Sequence, residues 1–137
     1  MNAARRDDSA RVSLSPLELE VMDVVWNLGE CTSGDVIEAF ASKRELADST
    51  IRNVLANLRQ KGYLKPIPSI GRGFRLRPTV PRETVARRSL RSLLESLFQG
   101  SPTQAIAFLL DETDASDAEL DEMRRLLSTR KRKEKRP

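Results

Sequence analysis

The side chains best placed to do chemistry in this chain are hydrogen-bonding amides and hydroxyls, rather than acids, bases or nucleophiles. Ser49, Thr50, Asn53 and Asn57 recur along one side of a helical pattern, with Arg52 beside them. Such short neutral groups both donate and accept, which is what reading the edge of a base pair requires; an arginine reaches a guanine edge or a phosphate. Lys61, Arg72, Arg75 and Arg77 follow and suit phosphate contacts, which position a protein on a duplex without carrying sequence information. From Ser49 to Arg82 there are eight basic residues (Arg52, Arg59, Lys61, Lys65, Arg72, Arg75, Arg77, Arg82) and no acidic one, although the net charge is only +4. A local excess of this kind points to a polyanion, of which nucleic acid is the commonest.

Other chemistries lack their residues. There is no histidine, which excludes His-based acid/base work and His-ligated zinc. Cys31 is the only cysteine, so there is no intrachain disulfide and no cysteine-cluster metal site. It is expected to be a small buried apolar residue. The paired acids Asp111-Glu112 and Asp121-Glu122 are expected to be solvated, and no glycine-rich phosphate loop or nucleophile motif is present. The chain therefore reads as a non-enzyme without metal or cofactor. No apolar run approaches the roughly 20 residues of a membrane span, and Arg5-Arg6-Asp7-Asp8 does not open a signal-peptide type of stretch. A cytoplasmic protein with no direct membrane insertion is expected.

The elements that must position these residues are marked by caps and periodicity. Residues 1–13 are polar and aperiodic, and are expected to form a disordered tail. Ser15, Pro16 and Glu18 open a first helix as N-cap, first helical residue and capping box, with Leu14 and Leu19 as a hydrophobic staple. Leu19, Met22 and Trp26 should face a core, and Gly29 should stop the helix. Glu30-Cys31-Thr32 suits a short strand, and Thr32 with Asp35 caps a second helix bearing Val36, Ile37 and Phe40. The third helix is expected to be capped by Asp48 or Ser49, to bury Ile51, Val54, Leu55 and Leu58, and to end at Gly62. Residues 63–67 and Phe74-Arg75-Leu76-Arg77-Pro78 read as strands around a glycine-bearing turn, with Pro66 and Pro68 favouring an edge.

Beyond Pro81 three further helices are predicted. Leu90, Leu93, Leu94, Leu97 and Phe98 lie on the first, Ile106, Leu109 and Leu110 on the second, and Leu120, Met123, Leu126 and Leu127 on the third. Three thin stripes can bury only part of their apolar area within one chain, which implies packing against a second copy through Leu90, Leu93, Leu94, Leu97, Phe98, Leu109, Leu120, Met123 and Leu127. The predicted fold class is mainly α with a small β-hairpin: a winged helix-turn-helix over 14–80, then a three-helix dimerisation domain over 81–128. A basic tail over 129–137 is expected to be disordered. Double-stranded DNA is the expected partner. Two other readings stay open on the same residues: a non-specific nucleic-acid-binding or architectural protein, and a winged-helix module that binds protein.

A resemblance sharpens this picture. The block from Leu14 to Trp26 resembles the opening of penicillinase-repressor family regulators, the BlaI/MecI/CopY type. The block from Ser49 to Leu58, with Lys61-Gly62-Tyr63-Leu64, is similar to that family's recognition helix and entry to the wing. The returning strand from Phe74 to Pro78 matches as well. The resemblance implies a homodimeric transcriptional repressor bound to a dyad-symmetric operator. It also implies, for antibiotic-responsive members, a membrane-bound sensor metalloprotease that ends repression through cleavage in the dimerisation domain. Such members carry an Asn-Phe pair there, where this chain has Ala107-Phe108. Copper-responsive relatives carry a C-terminal cysteine cluster, which this chain lacks.

Overall fold

The computed structural model describes residues 13–71 and 73–135. Residues 1–12 of the tail predicted over 1–13, the last two residues of the tail predicted over 129–137, and the predicted phosphate contact Arg72 lie outside the described residues. The described chain contains, in order, α1 (Pro16–Leu28), α2 (Ser33–Phe40), α3 (Asp48–Gln60), β1 (Leu64–Pro68), β2 (Phe74–Pro78), α4 (Arg82–Leu97), α5 (Pro102–Glu112) and α6 (Asp117–Lys135). They form two compact units that divide between Ser89 and Leu90, inside α4. Composition alone changes earlier, at Pro81; Val85, at the end of the first turn of α4, packs into the core of the first unit.

Local sequence accounts for the helix starts. Ser15 Oγ accepts from the Glu18 amide while Glu18 Oε1 accepts from the Ser15 amide at 2.8 Å, closing the capping box of α1. Thr32 and Asp35 do the same for α2, and Ser116 and Glu119 for α6. Two expectations shift. Leu19 is 45% exposed and does not enter the core. The buried residues of α1 are Glu18, Val21, Met22 and Val25, at i, i+3, i+4 and i+7, with Val24 beside them, so the inward face is turned toward Glu18. The N-cap of α3 is Ala47, with no side-chain cap; its carbonyl accepts from the Thr50 and Ile51 amides. Asp48 and Ser49 begin the helix instead.

Three helices and a hairpin close around one apolar core. Val21, Met22 and Val25 of α1 meet Val36 and Phe40 of α2 and Ile51, Val54, Leu55 and Leu58 of α3. Tyr63, Leu64, Leu76 and Val80 seal it from the hairpin side. The hairpin is antiparallel, with Leu64 opposite Pro78 and Pro68 opposite Phe74. Cys31 bridges Leu76 on the other side of β2, so β1 is the outer strand and its prolines sit at an edge. Gly71 and Gly73 turn the wing at φ +103° and +80°, values a side chain rarely tolerates. The Trp26 indole N–H donates to the Val80 carbonyl at 2.9 Å, tying α1 to the end of the hairpin. This is a winged helix-turn-helix.

The second unit comprises the C-terminal half of α4 with α5 and α6. No α5 residue is buried. Leu94, Phe98, Leu120 and Met123 are half-buried, and the Phe98 and Phe108 rings meet edge to face at 5.3 Å. Contrary to the disordered tail expected from 129, α6 continues through Lys135. Arginine and lysine are good helix formers, no glycine or proline interrupts the segment, and cations suit a helix C-terminus.

Candidate nucleic-acid interface

The outward side of α3 is continuous. Ser49, Arg52, Asn53, Ala56, Asn57 and Gln60 are all exposed and follow i, i+3, i+4, i+7, i+8 and i+11. Thr50 is half-buried at its flank. The stripe runs opposite Ile51, Val54, Leu55 and Leu58, so burying those four side chains fixes which groups look outward. Because Ala47 is the N-cap, the Ser49 hydroxyl is not used to cap the helix. Ala56 was not among the sequence candidates, yet it lies mid-face. Its methyl group permits close approach of a duplex and suits contact with a thymine methyl. Its place seven residues after Ser49 was the available signal.

The basic residues divide into two sets once the chain folds. Arg52 and Lys65 are exposed and make no ion pair among the described residues. Arg59 lays its guanidinium over the Phe74 ring at 4.8 Å, joining the last turn of α3 to the start of β2. Arg52 and Arg59 border a cleft of about 370 Å³ with Thr32, Ser33, Gly73 and Phe74. No local pattern signals this stack, because nothing along the chain connects positions 59 and 74.

The other set is held by acids from outside the acid-free window. Lys61 Nζ lies 2.6 Å from Glu18 Oε1, and both side chains are largely buried. Burial pushes the Glu18 carboxyl up, but the Lys61 ammonium and the Ser15 amide outweigh it and leave it below its ordinary value. Arg75 donates to the Glu30 carbonyl at 2.7 Å, and Arg77 Nε lies 3.7 Å from the Glu30 carboxylate. Arg82 pairs with Asp23, donates to Asn27 and lies over Trp26. Hydrogen bonds from Lys43 and Arg82 hold the Asp23 carboxyl low. Lys61, Arg75 and Arg77, all predicted to face phosphates, are thus already partnered. Among the described residues of the acid-free window, the exposed cations without an ion pair, Arg52, Arg59 and Lys65, lie on α3 and at the start of the wing.

Cys31 is buried, and that burial raises its thiol above the ordinary value. Among the described residues no group of histidine, cysteine, aspartate and glutamate side chains could hold a metal ion. No described helix is long and apolar enough to cross a membrane.

The residues expected to pair two copies form the other exposed feature. Leu90, Leu93, Leu97 and Leu109 are exposed, and Leu127 is 61% exposed. Ile106, Phe108, Leu110 and Leu126 are exposed as well. Ala107 is exposed beside Phe108 within α5.

Comparison with known proteins draws these features together. The family model described as penicillinase repressor matches residues 14–129. An uncharacterized 16.5 kDa protein of Latilactobacillus sakei is 35% identical over 113 residues, covering 82% of this chain and 77% of that protein. The penicillinase repressor of Bacillus licheniformis is 25% identical over 122 residues, covering 89% and 94%. The methicillin resistance regulatory protein MecI of Mammaliicoccus sciuri is 21% identical over 121 residues, covering 88% and 98%.

Proposed function

The chain belongs to the penicillinase repressor family, and on that premise we propose that it is a sequence-specific transcriptional repressor acting as a homodimer on a dyad-symmetric operator. The observation that carries the reading is the exposed stripe of α3. Hydrogen-bonding groups at Ser49, Asn53 and Asn57 flank Ala56, with Arg52 alongside and a wing beside them. A helix of that width enters the roughly 12 Å major groove, where base pairs present distinct patterns of donors and acceptors. Ser49, Thr50, Arg52, Asn53 and Asn57 read base edges. Arg59, Lys65 and the wing engage phosphates, whereas Lys61 chiefly ties the end of α3 to the start of α1 and Arg75 and Arg77 tie the hairpin to Glu30. The protein works in the cytoplasm as a regulator without catalytic activity.

Dimerisation supplies the second half of the mechanism. Leu90, Leu93, Leu97, Leu109 and Leu127 are covered by a second copy, which favours pairing because each covered apolar side chain leaves water. Two reading helices then engage half-sites about 10 bp apart or a multiple of that. The second contact becomes intramolecular, so operator occupancy collapses when the dimer is lost. Proteolysis at Ala107-Phe108 by a membrane-bound sensor metalloprotease is one route to that loss. The bond lies inside α5, so the helix must open before a protease could reach it.

Anisotropy titration with duplex from its own promoter region against random duplex tests the reading. Preference for the promoter duplex supports it, and equal affinity overturns it.

A further inference from the structure

We propose that the last two turns of α6 are a second, sequence-independent contact surface for duplex DNA. The inference rests on the DNA-binding reading above and adds an element to it. The apolar stripe of α6 ends at Leu127, and residues 128–135 contain no apolar side chain. The helix nevertheless continues through Lys135. Arg130, Lys131, Arg132 and Lys133 are consecutive and exposed. At about 100° per residue they surround the axis instead of forming one face, and at 1.5 Å rise they occupy about 4.5 Å of it. Further up the helix, Arg124 and Arg125 are paired with Asp121 and Glu122 one turn back. Residues 128–133 contain no acid, and Glu134 is the only one in residues 128–135.

A helical segment that is polar all round has no packing to hold it, and like charges one turn apart, such as Arg130 and Lys133, oppose it. The helix dipole supports cations at this end. A partner of high, uniform negative charge would remove the repulsion and stabilise the turns. Duplex DNA supplies one phosphate charge for about each 1.7 Å of axis, close to the one cation for about each 1.5 Å of helix axis here. A girdle without a preferred face suits a uniform field better than a stereospecific pocket. An anionic membrane fits less well, because an interfacial helix needs an apolar face to insert and these turns have none.

The test uses the full chain and a variant carrying Arg130→Gln, Lys131→Gln, Arg132→Gln and Lys133→Gln. Glutamine keeps helix propensity, and circular dichroism checks that helicity is retained. Affinity for promoter and random duplexes is titrated across salt concentration. The expected result is equal weakening on both duplexes and an unchanged preference between them. The slope of log affinity against log salt should fall by about 2 or more, since each lost phosphate contact removes about 0.9. An unchanged slope overturns the inference, as does a loss confined to the promoter duplex. Tighter binding of the wild-type chain to phosphatidylserine vesicles than to random duplex also overturns it. Equal affinity of the wild-type chain for both duplexes defeats the repressor reading alone, since the slope change on random duplex still judges the α6 surface.

Discussion

Glu30 should restrain DNA binding, so Glu30→Gln is expected to tighten it. Its carboxylate lies 3.7 Å from Arg77 Nε, with the two side chains 47% and 52% exposed. A surface pair of that kind contributes no more than about 1 kcal/mol to stability. The substitution leaves the Glu30 backbone carbonyl in place as the acceptor for Arg75, and the Cys31–Leu76 bridge is untouched. The wing base therefore keeps its anchors while the Arg77 guanidinium loses its local counter-charge. If Arg77 then neutralises one phosphate, the salt slope steepens by about 0.9 per protomer. Between 50 and 200 mM salt this is about a threefold stronger salt dependence for each protomer. Anisotropy titration of wild type and variant on one duplex at three or four salt concentrations measures it, with thermal melting as the check on folding. Weaker binding, or an unchanged slope in a variant with an unchanged melting curve, would refute the idea that Glu30 holds Arg77 away from phosphate.

Three further outcomes are expected. Asn53→Ala should cost about 1–3 kcal/mol of discrimination at one base pair per half-site, read by titrating single-base operator variants, whereas an unaltered profile would remove Asn53 from the reading set. Leu93→Asp should shift sedimentation from dimer to monomer and lower promoter affinity, because the carboxylate would be buried unpaired in the proposed contact. The folded Glu18 carboxyl lies below its ordinary value, so its contribution to stability is present above about pH 4.5 and is lost as pH falls through the folded value. Lys61→Met removes the ammonium and leaves burial opposed only by the Ser15 hydrogen bonds, so the folded carboxyl moves up. In urea melts from pH 6 to 3.5 the variant should therefore lose less stability on acidification than wild type; an equal or larger acid loss would remove Lys61 from this account.

What was legible in the sequence was chiefly what is local. The boxes at Ser15–Glu18 and Thr32–Asp35 fixed two helix starts, because each is closed within four residues. The spacing of Ile51, Val54, Leu55 and Leu58 fixed the inward side of α3, and with it the outward one. The long-range partners were not legible. Lys61 and Glu18 are 43 positions apart, and Arg75 and Glu30 are 45 apart. An acid-free stretch of sequence therefore did not become an acid-free surface. Leu19 was misplaced because its spacing with Met22 and Trp26 suggested one inward face, whereas the core takes the side carrying Glu18 and Val21 and leaves Leu19 exposed. The end of α6 was misread because charge density suggests a tail, while helix propensity and the dipole favour continued helix.

The central claim is that α3 reads a specific duplex, and a competition titration tests it most directly. The protein is bound to labelled duplex from its own promoter region and displaced by unlabelled promoter or random duplex at physiological salt. The account predicts a preference of about 10³-fold or more for the promoter duplex. Displacement by both duplexes at the same concentration would contradict it.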